Sequence, residues 1–315
     1  MKPMAVLYDF DRCMGCRACQ VICKMWNQNP AGPPASFFQG PGYQNPGSLN
    51  DHTFSVVRYN ELVDPKTGEL RYYFGRKQCM ACLKPACASA CIVGALEKLD
   101  YGPVIWHPEK CMGCRYCMVA CPFGVPTFEW HSNNPRIRKC TFCYNRQGSK
   151  YEEVGVKFEG YSDEQKKQLE EDGRLMLSPA CVTACPSDSM IYGTREAMLE
   201  EAYARIEANP DAYPKHPRTG KPWVYGEHEV GGTSWLLLST VPYDKLGFPI
   251  LPFEPADHYT KISMISVPIT FTTVVIAMAG SYYLTKRREE VKASEGKTSK
   301  EKESKESEEK KGGES

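Results

Sequence analysis

The sequence lacks an excess of charge of either sign. Among its 315 residues 39 are basic and 38 acidic, whereas a generic nucleic-acid binder carries a clear basic surplus. It also lacks the constellations of common hydrolases and nucleotide enzymes. No G-x-G-x-x-G, P-loop, catalytic triad or paired-carboxylate signature stands in the chain. The six histidines show no metal-ligand spacing, and His107 and His131 read as surface residues. At the N-terminus residues 1–7 run straight into Tyr8-Asp9-Phe10-Asp11, too soon acidic for a secretory h-region, and no twin-arginine signal is seen. Its 24 prolines and 25 glycines argue against long helical bundles for the bulk of the chain.

What is abundant is cysteine, sixteen residues in four groups of four. Cys13, Cys16, Cys19 and Cys23 follow C-x2-C-x2-C-x3-C, and Cys111, Cys114, Cys117 and Cys121 repeat it, with Pro122 after the last. Cys79, Cys82, Cys87 and Cys91 follow C-x2-C-x4-C-x3-C. The fourth group is split: Cys140 and Cys143 are separated by 37 residues from Cys181 and Cys185, which precede Pro186. A tight C-x2-C-x2-C turn lets three thiolates reach three iron corners of a [4Fe–4S] cube, while the cysteine after x3 ligates a neighbouring cube. Gly15 and Gly113 inside the turns suit close backbone approach. Each group then gives three ligands to one cluster and one to another, so sixteen thiolates serve four clusters with none left over.

Other cysteine chemistries fit less well. A zinc-held structural scaffold is the main alternative, but a third cysteine at x2 followed by a fourth at x3 is not zinc-ribbon spacing. Disulfides at these spacings would be strained neighbour bridges. Haem attachment needs C-x-x-C-H, which is absent. An enzyme using a cluster iron as Lewis acid needs an iron without cysteine, and the count leaves none. Trp26, Trp106 and Trp130 are candidates for walling clusters from water or for core packing. Arg17, Arg115 and Lys139, beside cysteines, are candidates for tuning cluster potentials through charge and N–H···S bonds.

Elsewhere, residues 28–50 hold nine Pro or Gly and read as a loop, and residues 53–76 read as a hairpin around Asp64-Pro65-Lys66-Thr67-Gly68. Residues 147–178 read as an insertion, with a solvent-facing helix over 162–175. A cleaner helix is expected over 194–208, capped by Thr194, with Met198, Ala202 and Ile206 on one face. Residues 210–230 read as a Pro-rich loop, and Trp235-Leu236-Leu237-Leu238 as a buried strand. Residues 262–284 carry no charge over 23 positions, enough helix to cross a hydrocarbon core of about 30 Å. Tyr282 and Tyr283 fit an interfacial belt, and Lys286-Arg287-Arg288 put the C-terminus on the cytoplasmic side with the bulk across the membrane. The alternative leaves the bulk on the cytoplasmic face. The tail 285–315, with ten basic and nine acidic residues, reads as disordered.

These motifs resemble the four-cluster ferredoxin-like iron–sulfur subunits of complex iron–sulfur molybdoenzymes and membrane-bound hydrogenases. The likeness is strongest to the hydrogenase-2 and formate dehydrogenase-N types. It rests on Cys13-Met14-Gly15-Cys16-Arg17-Ala18-Cys19, Lys77-Gln78-Cys79-Met80, residues 111–122, Ile191-Tyr192-Gly193-Thr194-Arg195-Glu196, Tyr225-Gly226-Glu227, Gly231-Gly232-Thr233 and Val241-Pro242-Tyr243. The resemblance implies four ligand sets: Cys13, Cys16, Cys19, Cys185; Cys23, Cys140, Cys143, Cys181; Cys79, Cys82, Cys87, Cys121; and Cys91, Cys111, Cys114, Cys117. It implies an α+β fold of two bacterial-ferredoxin-like modules with loop insertions and one C-terminal transmembrane helix. Residues 1–60 and 135–200 would form the first module and 61–134 the second, followed by an extension over 201–260. The implied role is non-catalytic: electron relay between a catalytic subunit and a quinone-reactive membrane subunit in a respiratory complex. Cys91-Ile92 departs from the common Cys-Pro pair, with little effect expected on ligation. Without a signal of its own, the chain is expected to cross the membrane folded and attached to an exported partner.

Overall fold

The computed structural model describes residues 2–31, 43–63, 68–133, 135–146 and 177–312, with positions 162, 164 and 167 between. The expected helix over 162–175 therefore lies outside the described residues apart from those isolated positions. The chain divides into two compact units, Met1–His258 and Tyr259–Ser315.

The first unit is built on a three-stranded sheet. Its central strand β1 (Met4–Asp9) pairs antiparallel with β8 (Met190–Thr194) and parallel with β9 (Trp235–Leu238). Every residue of β1 and β9 is buried, because both faces of this sheet are covered, and strands covered on both sides read as continuous apolar runs. Ala5, Leu7, Leu236 and Leu238 point to one face and pack against Met198, Ala202 and Ile206 of α5 (Arg195–Ala208). Thr194 caps that helix as expected, its hydroxyl accepting from Ala197 N. Val6, Tyr8, Trp235 and Leu237 point to the other face, into a core that also holds Cys19 and Cys181.

The hairpin expected over 53–76 is β2 (Val56–Val63) with β3 (Leu70–Lys77), in register from Val56↔Lys77 to Val63↔Leu70. Two further short pairs are antiparallel, β4 (Leu96–Lys98) with β5 (Val104–Trp106), and β6 (Thr127–Phe128) with β7 (Ile137–Arg138). Four helices carry the x3 spacings: α1 (Ala18–Trp26), α2 (Ala86–Ser89), α3 (Tyr116–Ala120) and α4 (Ala180–Thr183). α1 packs with α4 and α2 with α3, so cysteine groups one and four meet, as do groups two and three.

The second unit is occupied by one helix, α6 (Ala256–Gly312). Its stretch Ile265–Lys297 is long and apolar enough to cross a membrane. Thr270, Thr272 and Thr273 donate their hydroxyls to the carbonyls of Ser266, Pro268 and Ile269, each at 2.8 Å, which pairs these three hydroxyls for an apolar surrounding. The helix does not stop at the apolar span. It continues to Gly312, where the charge-rich composition had pointed to disorder, because Lys, Glu and Ala are strong helix formers and need no packed face to be helical.

Candidate metal centre

All sixteen cysteines are free thiols. The first C-x2-C pair of each group is bent the same way: the residue just before its second cysteine has a positive φ. These are Gly15 (69°), Ala81 (48°), Gly113 (73°) and Phe142 (57°). The left-handed step folds the backbone around the pair, and the two non-glycine residues hold it at a cost of roughly 1–2 kcal/mol each. Arg17 and Arg115 repeat the step at the starts of α1 and α3, both with φ 63° and ψ 6°. The remaining two helices share a second local design, Pro85-Ala86-Cys87-Ala88-Ser89-Ala90-Cys91 and Pro179-Ala180-Cys181-Val182-Thr183-Ala184-Cys185, with proline as N-cap and alanine as C-cap. That pattern was readable in the sequence and marks an internal duplication.

The thiols influence one another both within and between the four expected ligand sets. Cys13 feels Cys185 and Cys16, and Cys19 feels Cys13 and Cys16. Cys140 feels Cys23 and Cys143, and Cys143 feels Cys181 and Cys23. Cys82 feels Cys79, Cys121 and Cys87. Cys117 feels Cys111, Cys114 and Cys91. Three neighbour relations link the sets in a row: Cys19 with Cys181, Cys140 with Cys79, and Cys87 with Cys117. Packing agrees, since Cys79 lies against Cys23 and Cys140, and Cys87 and Cys117 share one core cluster with Cys91 and Cys111. A small cavity is walled by Cys23, Cys140, Cys143 and Cys181 together with Arg76 and Trp235. Cys16 and Cys114, in the two end sets, are exposed.

Burial pushes Cys19, Cys87 and Cys143 up to about 12 and Cys117 to about 11. Buried thiols of this kind stay protonated unless a metal takes the proton's place. At Cys185 burial also pushes upward, but hydrogen bonds with Ser189 and Ser187 outweigh it and leave the thiol below its ordinary value. Other donors already point at sulfur: Ala95 N to Cys91 at 3.2 Å, Phe142 N to Cys140 at 3.4 Å and Asn27 Nδ2 to Cys23 at 3.7 Å.

The neighbouring candidates separate. Lys139 is buried and donates to the Val104 carbonyl. Arg17 lies over the Tyr59 ring at 4.7 Å and donates to its hydroxyl at 3.0 Å. Arg115 lies over Trp130 at 4.3 Å, and Trp130 is itself exposed, so this pair forms surface and neither packs the core. Trp26 is partly exposed and donates to Asn145 at 3.2 Å, while Trp106 and Trp26 both line one open cleft with Lys139. His107 bonds Glu97 at 2.7 Å and His131 is exposed near Asp51, away from the thiols. Sequence reasoning missed Arg76, fully buried among Cys181, Cys19, Cys23 and Cys140, and Lys98 beside Cys82 and Cys79.

Comparison with known proteins decides the family. A 4Fe-4S dicluster domain matches residues 70–158. A protein of Nitratidesulfovibrio vulgaris is 36% identical over 293 residues, 92% of this chain and 69% of the relative. The hydrogenase-2 operon protein HybA of Escherichia coli O157:H7 is 31% identical over 269 residues, 79% of this chain and 73% of the relative. The nitrate-inducible formate dehydrogenase iron-sulfur subunit of Escherichia coli K12 is 32% identical over 233 residues, 73% and 66% of the two chains. The chain belongs to this family of iron–sulfur subunits.

Iron–sulfur clusters fit the residues present. Zinc needs four donors converging on one ion, with sulfur about 2.3 Å from the metal. No three His, Cys, Asp or Glu side chains among the described residues are grouped to hold a single ion. The thiol sets are instead spread around spaces such as the cavity of Cys23, Cys140, Cys143 and Cys181. A cube held by four thiolates carries net negative charge, and Arg76, Lys98 and Lys139 are the buried or part-buried cations that stand beside the sets.

Proposed function

We propose that the chain is the electron-relay subunit of a membrane-bound respiratory oxidoreductase. Four [4Fe–4S] clusters, when bound, accept and release single electrons. The ligand sets are Cys13, Cys16, Cys19, Cys185; Cys23, Cys140, Cys143, Cys181; Cys79, Cys82, Cys87, Cys121; and Cys91, Cys111, Cys114, Cys117. The observation that carries this reading is the gathering of the thiols by the packing of α1 with α4 and of α2 with α3, with Cys79 against Cys23 and Cys140 joining the two halves. The same helix pairs support two ferredoxin-like modules, with the β2–β3 hairpin spanning the boundary expected between residues 60 and 61. The exposed Cys16 and Cys114 turns are the two ends where electrons enter and leave. The remaining residues exclude water, fix the thiols and supply N–H donors to sulfur.

The chain performs no bond chemistry of its own. Its partners are a catalytic subunit of the hydrogenase or formate dehydrogenase kind and a quinone-reactive integral membrane subunit. Residues 262–284, the apolar part of this candidate span, supply the anchor, with the basic flank Lys286-Arg287-Arg288 on the cytoplasmic side and the bulk on the opposite face.

Elemental analysis of anaerobically purified chain tests the reading: about sixteen iron with equal sulfide are expected. Stoichiometric zinc, or far less iron, would refute it. Cys140→Ser should remove or convert one cluster signal by electron paramagnetic resonance and leave the other three. Topology is tested by protease added to spheroplasts, which should digest the bulk and spare the tail.

A further inference from the structure

Among the described residues Arg76 is the most deeply buried cation. It sits on β3 opposite Val57, is 1% exposed, and lies over the Trp235 indole at 5.1 Å. One guanidinium nitrogen, Nη1, makes a weak 3.9 Å contact with Met190 Sδ. Nε and Nη2 are buried with no partner. A guanidinium cannot shed its proton in a protein, so a charged group with open donors is held out of water. Such a group is costly unless something negative accepts from it. The other buried cations differ here: Lys139 gives its ammonium to the Val104 carbonyl, and Lys98 to Gly102 and Ala81 carbonyls.

What Arg76 faces is the cavity of the second thiol set. Arg76 and Trp235 complete its wall with Cys23, Cys140, Cys143 and Cys181. Ser55, another buried hydroxyl without a formed partner, borders the same thiol. Ser55 and Arg76 thus stand together beside Cys23, a wall residue of this cavity.

We propose that Arg76 is a positioning residue for the cluster of Cys23, Cys140, Cys143 and Cys181, its Nε–H and Nη2–H donating to cluster sulfur and its charge favouring the reduced state. This rests on the ligand sets proposed above. An added electron puts one more negative charge beside a fixed cation in a low-dielectric pocket, so the reduced form gains more from Arg76 than the oxidised form. Cys19 of the first set is also a neighbour of the same guanidinium, but the open donors belong to the wall of the second set's cavity.

The test is a redox titration of the full-length holoprotein by electron paramagnetic resonance, comparing wild type, Arg76→Met, Arg76→Lys and Cys140→Ser. Arg76→Met should keep about sixteen iron and lower one cluster's reduction equilibrium by at least about tenfold, 59 mV for one electron. Arg76→Lys should recover part of that shift, and the moved signal should be the one that Cys140→Ser removes. Four unmoved potentials with full iron content would overturn the proposal, as would a shift in Arg76→Met that Arg76→Lys does not reduce. If Arg76→Met fails to hold iron, Arg76→Lys decides: an intermediate potential upholds the role, and a wild-type potential or the same iron loss ends it. A Cys140→Ser protein that still holds four unaltered cubes would sink the ligand sets instead.

Discussion

The two matching turns, Gly15 and Gly113, should respond differently to the same substitution. Both have a positive φ, 69° and 73°, so an alanine at either costs about 1–2 kcal/mol for left-handed backbone. At Gly113 nothing lies within 4 Å of the added Cβ. At Gly15 the methyl would meet the Phe74 ring at 2.6 to 2.8 Å. That ring has little freedom to withdraw. It stands edge-on to Tyr59 at 5.0 Å, and the Tyr59 hydroxyl donates to the Gly15 carbonyl at 2.9 Å while accepting from Arg17 Nε at 3.0 Å. Overpacking adds about 1–3 kcal/mol, all of it at the Gly15 turn. Gly113→Ala should therefore keep its full iron content, and Gly15→Ala should lose the neighbouring cluster. The assay is the rate of visible bleaching under a chelator, without air, with iron counted before and after. Gly15→Ala combined with Phe74→Leu should bleach more slowly than Gly15→Ala alone, a coupling that contact predicts. Equal rates for the two alanine variants, or no relief from Phe74→Leu, would refute the reasoning.

Acidity gives another test. In the metal-free chain burial lifts Cys19, Cys87 and Cys143 from 9.0 to about 12. The folded thiols keep protons that unfolded ones release, so metal-free stability is full below pH 9 and declines as pH rises toward 12, measurable by denaturant titration. Iron uptake runs the other way, because each ligand must release its proton. Reconstitution with iron and sulfide should be more complete at about pH 8.5 than at about pH 6.5, and equal yields would contradict this. Met198, fully buried between α5 and the sheet, should cost about 2–5 kcal/mol on Met198→Ala. Cluster potentials should not move in that variant, because it touches the sheet face opposite the thiols.

Much of the site was legible because cluster ligation writes itself into spacing: the four cysteine groups, the hairpin and the Thr194-capped helix all follow local rules. Long-range placement did not. β1 pairs with β9 across more than two hundred residues, and no local pattern encodes that partnership. Arg76 reads in the sequence as one charge on an alternating strand, and only the closing of β3 over the thiols makes it buried. Ala81 and Phe142 occupy left-handed positions where glycine would be expected, so the common bend of all four pairs was hidden in two. Trp130, an aromatic that composition alone would send inward, covers Arg115 at the surface instead.

The short helices have a further consequence. In the proposed ligand sets Cys19 and Cys23, four residues apart on α1, serve different clusters, and so do Cys87 with Cys91, Cys117 with Cys121, and Cys181 with Cys185 at the other short helices. One inserted or deleted residue in any of them would swing a sulfur through about 100° and disable two centres at a stroke. Tolerance of a length change is thus confined to the connecting loops.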